Sequence, residues 1–123
     1  MTRFTLYKIF YDDYVVYLGR TKQPIAERLR GHFFNKPMHK NINIMLVSRI
    51  EIAECKSQAD MYLYEVYYIN KLKPPINQDD KARDALTVEL PELDFVEYKP
   101  KLMDKWKMQI AEKEERRKER LKC

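Results

Sequence analysis

The sequence predicts an α+β fold. Three observations carry that expectation. Two short runs rich in Tyr, Val, Phe and Ile stand at the N-terminus, the composition that suits strands. A third run, residues 48–54, alternates Ile50 and Ile52 with Arg49 and Glu51, the period-two pattern of a half-buried strand. Between and after these come runs with helical spacing. The chain has 123 residues, of which 45% are hydrophobic, a single-domain length with enough apolar side chains for one core.

In order along the chain, residues 3–10 and 14–19 read as strands joined by the polar "YDD", which makes a hairpin. Gly19 ends the second run, and the chain has only 2 glycines; a glycine at a strand end often supplies a backbone angle that other residues resist. A helix follows. Pro24 suits its first turn, Ile25, Leu29 and Phe33 recur at i, i+4 and i+8, and Gly31 weakens its end. Residues 40–47 ("KNINIMLV") fit helix or strand equally. Ser57 and Asp60 form a Ser-x-x-Asp start for a helix that runs to about Leu72 and stops at "KPPIN", where two prolines end it. Met61, Leu63, Tyr64, Val66, Tyr68, Ile69 and Leu72 lie on most sides of this helix, so it should be largely buried. Residues 78–100 are polar, with "ALTVEL" as a candidate short strand. A last helix begins near Pro100. Leu102, Met103, Trp106 and Ile110 give it a stripe that docks on the body, and beyond Ala111 "EKEERRKERLKC" is charged on all faces, as in a solvated, salt-bridged helix end. The organisation expected is a domain over 1–100 and a C-terminal helix over 101–123, docked at its start and solvated at its end.

Charge and cysteine content narrow the function classes. The chain carries 24 Lys and Arg against 19 Asp and Glu, net +5. Residues 1–56 hold ten cations and five anions, and residues 57–123 hold fourteen of each, so the whole excess lies in the first half. A local basic face suits a polyanion, most often nucleic acid. Two distant cysteines, Cys55 and Cys123, with no CxxC, argue against a disulfide framework or a structural zinc site. No apolar run approaches the roughly 20 residues of a membrane span, and the N-terminus lacks the pattern of a signal peptide. The expected location is cytoplasmic, in a bacterial cell or a phage-infected host, and the high Lys, Asn, Ile and Tyr content agrees with an AT-rich genome of that kind.

Several residues stand out as candidates for chemistry. Tyr7 and Tyr17 sit in the two N-terminal strands. Arg28 and His32 lie four apart and project from one helix face, beside the Ile25/Leu29 stripe. Glu65 interrupts the most apolar helix, with Met61 and Ile69 four residues to either side, where a carboxylate is costly unless it is paired or binds a metal. Asn77 follows a rigid turn. Singly, each has a commoner explanation: a packing tyrosine, a surface pair, a paired carboxylate, a turn residue.

Their order and spacing resemble the GIY-YIG nuclease superfamily, over roughly residues 3–78. "LYK" corresponds to the first motif, with Tyr7 as its tyrosine, although Thr5 and Leu6 stand where the family has glycine and isoleucine. "YLG", Tyr17-Leu18-Gly19, corresponds to the second. Arg28, His32, Glu65 and Asn77 fall on the arginine, histidine, metal-binding glutamate and asparagine that follow.

The resemblance implies a small three-stranded antiparallel sheet flanked by helices and a metal-dependent DNA endonuclease that leaves 5′-phosphate and 3′-hydroxyl ends. In that role Tyr7 is the general base assisted by His32, Tyr17 orients water or phosphate, Arg28 stabilises the phosphoryl oxygens, Glu65 holds one Mg²⁺ or Mn²⁺ ion, and Asn77 fixes the site. Arg20, Lys22, Arg30, Lys36, His39 and Lys40 would line the DNA backbone. The implied partner is double-stranded or branched DNA, with a homodimer left open. Two other readings stand beside it: a catalytically inactive nucleic-acid-binding module of the same fold, and an interaction role centred on the charged C-terminal helix.

Overall fold

The computed structural model describes residues 3–34, 42–77 and 86–121. It is α+β: an antiparallel sheet packed between helices. The strands are β1 (Phe4–Tyr11), β2 (Tyr14–Thr21), β3 (Val47–Cys55) and β4 (Val96–Glu97), and the helices are α1 (Ile25–Phe34), α2 (Gln58–Leu72) and α3 (Met103–Leu121). The sheet order is β2-β1-β3-β4. It is four-stranded rather than three-stranded, because Ile52 and Glu51 pair with Val96 and Glu97. That two-residue strand has too short a pattern to register in the sequence.

β1 and β2 form the expected hairpin, closed at Tyr11 and Tyr14 around Asp12, whose φ of 53° is one that Asp tolerates better than most residues. The register shifts between Ile9, opposite Tyr17, and Phe10, opposite Val15. Val16 is therefore the extra residue of a β-bulge, which re-aims the strand and lets both Val16 and Tyr17 enter the same core.

The two faces of the sheet have different coverings. On one, Tyr7, Ile9, Tyr17 and Ile50 pack with Leu29 and Phe33 of α1 and Trp106 of α3. On the other, Leu6 and Leu18 pack with Met61, Tyr67, Tyr68 and Ile69 of α2. Period-two alternation divides neighbouring residues of β1 and β2 between these cores. Trp106 meets Phe33 at 5.9 Å between ring centroids, and Met103 and Ile110 pack around it. Leu102, assigned to the same stripe, is exposed, since it precedes the first turn of the helix.

Ser57 caps α2 as expected, its side chain accepting from the Asp60 amide at 3.0 Å. α2 ends at Lys73 in the left-handed region, just before Pro74. The helix is less buried than its composition suggests: Tyr62, Leu63, Val66 and Leu72 are exposed. Its outer flank is instead held by the stretch after it. Tyr64 donates to the Pro91 carbonyl, the Leu93 amide donates to the Tyr68 hydroxyl, and Lys71 pairs with Glu92. Leu86–Leu90, the described part of "ALTVEL", forms no strand. The ambiguous 40–47 run resolves, where described, into a single helical turn at Ile44–Leu46, capped by Asn43, leading into β3 at Val47. Among the described residues no helix is long and apolar enough to cross a membrane.

Gly19 departs from its expected role. It does not end β2, which continues to Thr21, and it has no positive φ. Its requirement is steric: Gly19 is the cross-strand partner of Tyr7, and a Cβ there would lie inside the Tyr7 ring and hydroxyl and 2.7 Å from Tyr17 Cε2. Gly19→Ala should cost about 3 kcal/mol through overpacking, read as a lowered urea midpoint with an unchanged denaturant slope.

Candidate functional site

The hairpin and α1 bring four of the singled-out residues together. Tyr7 projects from the middle of β1 and is 0% exposed. Its hydroxyl lies 2.6 Å from His32 Nε2, and Arg28 Nε donates to it at 3.2 Å. The i, i+4 spacing of Arg28 and His32 places both over the same strand position. Tyr17 completes the group: its ring stands edge-on to His32 at 4.9 Å and lies 6.1 Å from Tyr7. His32 and Tyr17 are themselves buried.

The electrostatics follow from this enclosure. Burial pushes the Tyr7 hydroxyl well above its ordinary pKa, the neighbouring Tyr17 adds to that, and Arg28 opposes it. Partial burial works against the Arg28 charge, but the hydroxyls of Tyr7 and Tyr17 accept from it and hold its pKa above the ordinary value. The His32–Tyr7 contact has two forms set by the imidazole tautomer. With the proton on Nδ1, Nε2 accepts the Tyr7 proton; with it on Nε2, the Tyr7 oxygen accepts from His32 and Arg28 at once. The group is thus a hydrogen-bonded phenol and imidazole with a guanidinium beside them.

Asn77 acts on the backbone. Its side-chain amide accepts from the Leu18 amide at 2.8 Å and donates to the Leu18 carbonyl at 3.0 Å. Both bonds fall on the free edge of β2, between Tyr17 and Gly19. The helical turn Pro75–Asn77, set by the two prolines, delivers the side chain there. The hydrogen bonding expected of Asn77 falls on the Leu18 backbone.

Glu65 lies in the middle of α2. Met61 and Ile69 to either side of it are buried, but its own side chain is 23% exposed, and Oε1 accepts from Arg20 Nε at 2.8 Å. Arg20 also lies over the Tyr62 ring, 4.2 Å from the centroid, and Lys22 donates to Gln58 at 2.7 Å. Two cations assigned to a DNA rim are therefore engaged along α2. Gln58, Tyr62 and Glu65 recur at i, i+4 and i+7, a spacing that could have revealed this seat in the sequence. Arg30 is exposed beside Phe34. Lys36, His39 and Lys40 lie outside the described residues.

Among the described residues no three His, Cys, Asp or Glu side chains converge. Glu65 fits a hard ion of the Mg²⁺ kind, which keeps several waters and is content with one or two carboxylates. Arg20 competes for the same oxygen.

Two outcomes test this geometry. Asn77→Ala leaves the Leu18 groups without their partner and should cost about 2 kcal/mol, with faster amide exchange at Leu18. Tyr7 has a folded pKa above its unfolded value near 10, so the stability it contributes is present below pH 10 and is lost as the pH climbs past it. Tyr7→Phe should flatten the fall in thermal stability between pH 9 and 11. It should not abolish it, because burial also pushes Tyr68 up to about 12. Comparison of the chain with family models, with curated proteins and with solved structures finds no match in any of the three.

Proposed function

We propose that the protein is a metal-dependent DNA endonuclease of the GIY-YIG type, with the Tyr7 cluster as its reacting centre. The observation that carries this reading is the Tyr7 hydroxyl held between His32 Nε2 and Arg28 Nε on the face where Tyr17 also lies. A phosphodiester is anionic and resists nucleophiles, so its hydrolysis needs a base for water and fixed charge for the transition state. A buried phenol is a poor base by itself, but one that hands its proton to a neutral imidazole while a guanidinium holds the resulting oxyanion becomes a competent one.

In this mechanism the Tyr7 proton moves to His32 Nε2. The phenolate oxygen, held by Arg28, takes the proton of the attacking water. Tyr17 orients the water or a phosphoryl oxygen through its hydroxyl, and Asn77 keeps the Tyr17–Gly19 backbone in register. An Mg²⁺ or Mn²⁺ ion at Glu65, when bound, would supply charge to the phosphoryl oxygens and the leaving group. Arg20, released from Glu65, and Arg30 would contact the DNA backbone. The hydroxide formed bonds to phosphorus as the bond to the 3′ oxygen breaks, that oxygen takes up a proton as His32 gives up the one it received, and the products would carry 5′-phosphate and 3′-hydroxyl ends.

The complete enclosure of Tyr7 favours a second reading, a nucleic-acid-binding module of this fold without turnover. Incubation of supercoiled plasmid with Mg²⁺ or Mn²⁺ separates the two. The nuclease should nick or linearise the plasmid and leave ends that a DNA ligase reseals directly. Tyr7→Phe and Arg28→Ala should each slow cleavage about 100-fold or more, and Glu65→Ala should remove the response to the metal. Cleavage that survives Arg28→Ala and Glu65→Ala would sink the assigned roles, and binding without cleavage under every metal would leave the module reading.

A further inference from the structure

The charges of α3 are not distributed at random around its axis. At about 100° per residue, Lys105, Lys113, Arg116, Arg117 and Arg120 share an arc of about 120° that contains no acidic residue. Asp104, Glu112, Glu115 and Glu119 share a separate arc of about 80° that contains no cation. A helix arranged for internal salt bridges places opposite charges at i, i+4. Here Glu112–Arg116 and Glu114–Lys118 are opposite pairs at that spacing, but Lys113–Arg117 and Arg116–Arg120 set cation on cation and Glu115–Glu119 anion on anion, so like-charged pairs outnumber opposite ones and a polyanion relieves the cationic ones.

We infer that the cationic arc of α3 is a second binding surface for the phosphate backbone of duplex DNA. All five of its cations are exposed, and the arc spans about 22 Å along the axis, the length of about six phosphates on one strand. It turns toward α1: Lys113 and Arg30 both lie beside the Phe34 ring, at 5.5 and 5.9 Å, so cations of two elements meet on one surface. The apolar stripe that would serve a membrane or a second helix is already engaged, with Trp106 buried and Met103 and Ile110 packed against the body. Further along the helix that stripe continues as Lys113, Glu114 and Arg117, which leaves no apolar seam for a coiled coil. A partner must meet the outer half of α3 through charge, and a polyanion does so along its whole length. The nuclease reading enters only in the choice of DNA as that polyanion.

The test is binding, without cleavage, of a 30-base-pair duplex to the full chain in EDTA, by fluorescence anisotropy over a range of salt concentrations. The variant is K113Q/R116Q/R120Q, and the control is E112Q/E115Q/E119Q. Each neutralised phosphate contributes about 0.9 to the slope of log affinity against log salt, so the cationic variant should lose close to 3 of slope. The acidic control should bind as well as the parent chain or better. Circular dichroism keeps loss of helix separate from loss of contact, and R116K/R120K, which preserves charge, should restore parental slope. An unchanged slope in the cationic variant overturns the inference, as does a variant that binds DNA normally but shifts a dimer to monomer in sedimentation, or one that loses only adsorption to anionic vesicles. A chain that fails to cleave plasmid but shows the α3-dependent slope would refute the nuclease reading and leave this surface standing.

Discussion

The Tyr7 ring lies directly over Gly19, its cross-strand partner, with no space for a β-carbon between them. That contact fixes how far β1 and β2 can differ at this point, and it sets where the phenol oxygen ends. From there the arrangement of the site follows. The oxygen can reach His32 and Arg28 only because α1 crosses the same face, and α1 crosses there because Leu29 and Phe33 belong to the same core as Ile9 and Tyr17. The bulge at Val16 serves the same end, since without the extra residue Tyr17 would point to the α2 side and leave the cluster. A buried phenol, a buried imidazole and a half-buried guanidinium then satisfy one another, so packing and polar satisfaction are one problem with one solution.

Much of this was legible in the sequence, for identifiable reasons. The strand runs, the Ser57 cap, the proline stop after Leu72 and the i, i+4 pairing of Arg28 with His32 are local signals, and local signals survive folding when nothing tertiary opposes them. What was not legible depended on distant partners. β4 exists only because Val96 finds Ile52. The exposed side of α2 depends on which of its apolar residues the Leu86–Phe95 stretch reaches. The glycine at position 19 was singled out from its position, but its reason, a neighbouring ring rather than a backbone angle, is a cross-strand fact that no single-strand pattern carries. The same holds for Arg20, expected on a DNA rim, whose partners Tyr62 and Glu65 arrive from more than forty residues away.

Two groups of the singled-out residues meet at β2. Tyr7, Tyr17, Arg28 and His32 cluster where β1, β2 and α1 meet, and Arg20 pairs with Glu65 where β2 meets α2. β2 is the element common to both, since it carries Tyr17, Gly19 and Arg20.

Asn77 has a consequence beyond the site. β2 is the outer strand of the sheet, and an outer strand offers unpaired amides and carbonyls that can template the addition of a foreign chain. The carboxamide of Asn77 presents one donor and one acceptor to Leu18 in the manner of a neighbouring peptide group, so a single side chain stands in for a missing strand. At that point the edge is closed to docking by another copy, and the most apolar stretch of the hairpin is shielded from aggregation by one amide held on a proline-stiffened turn.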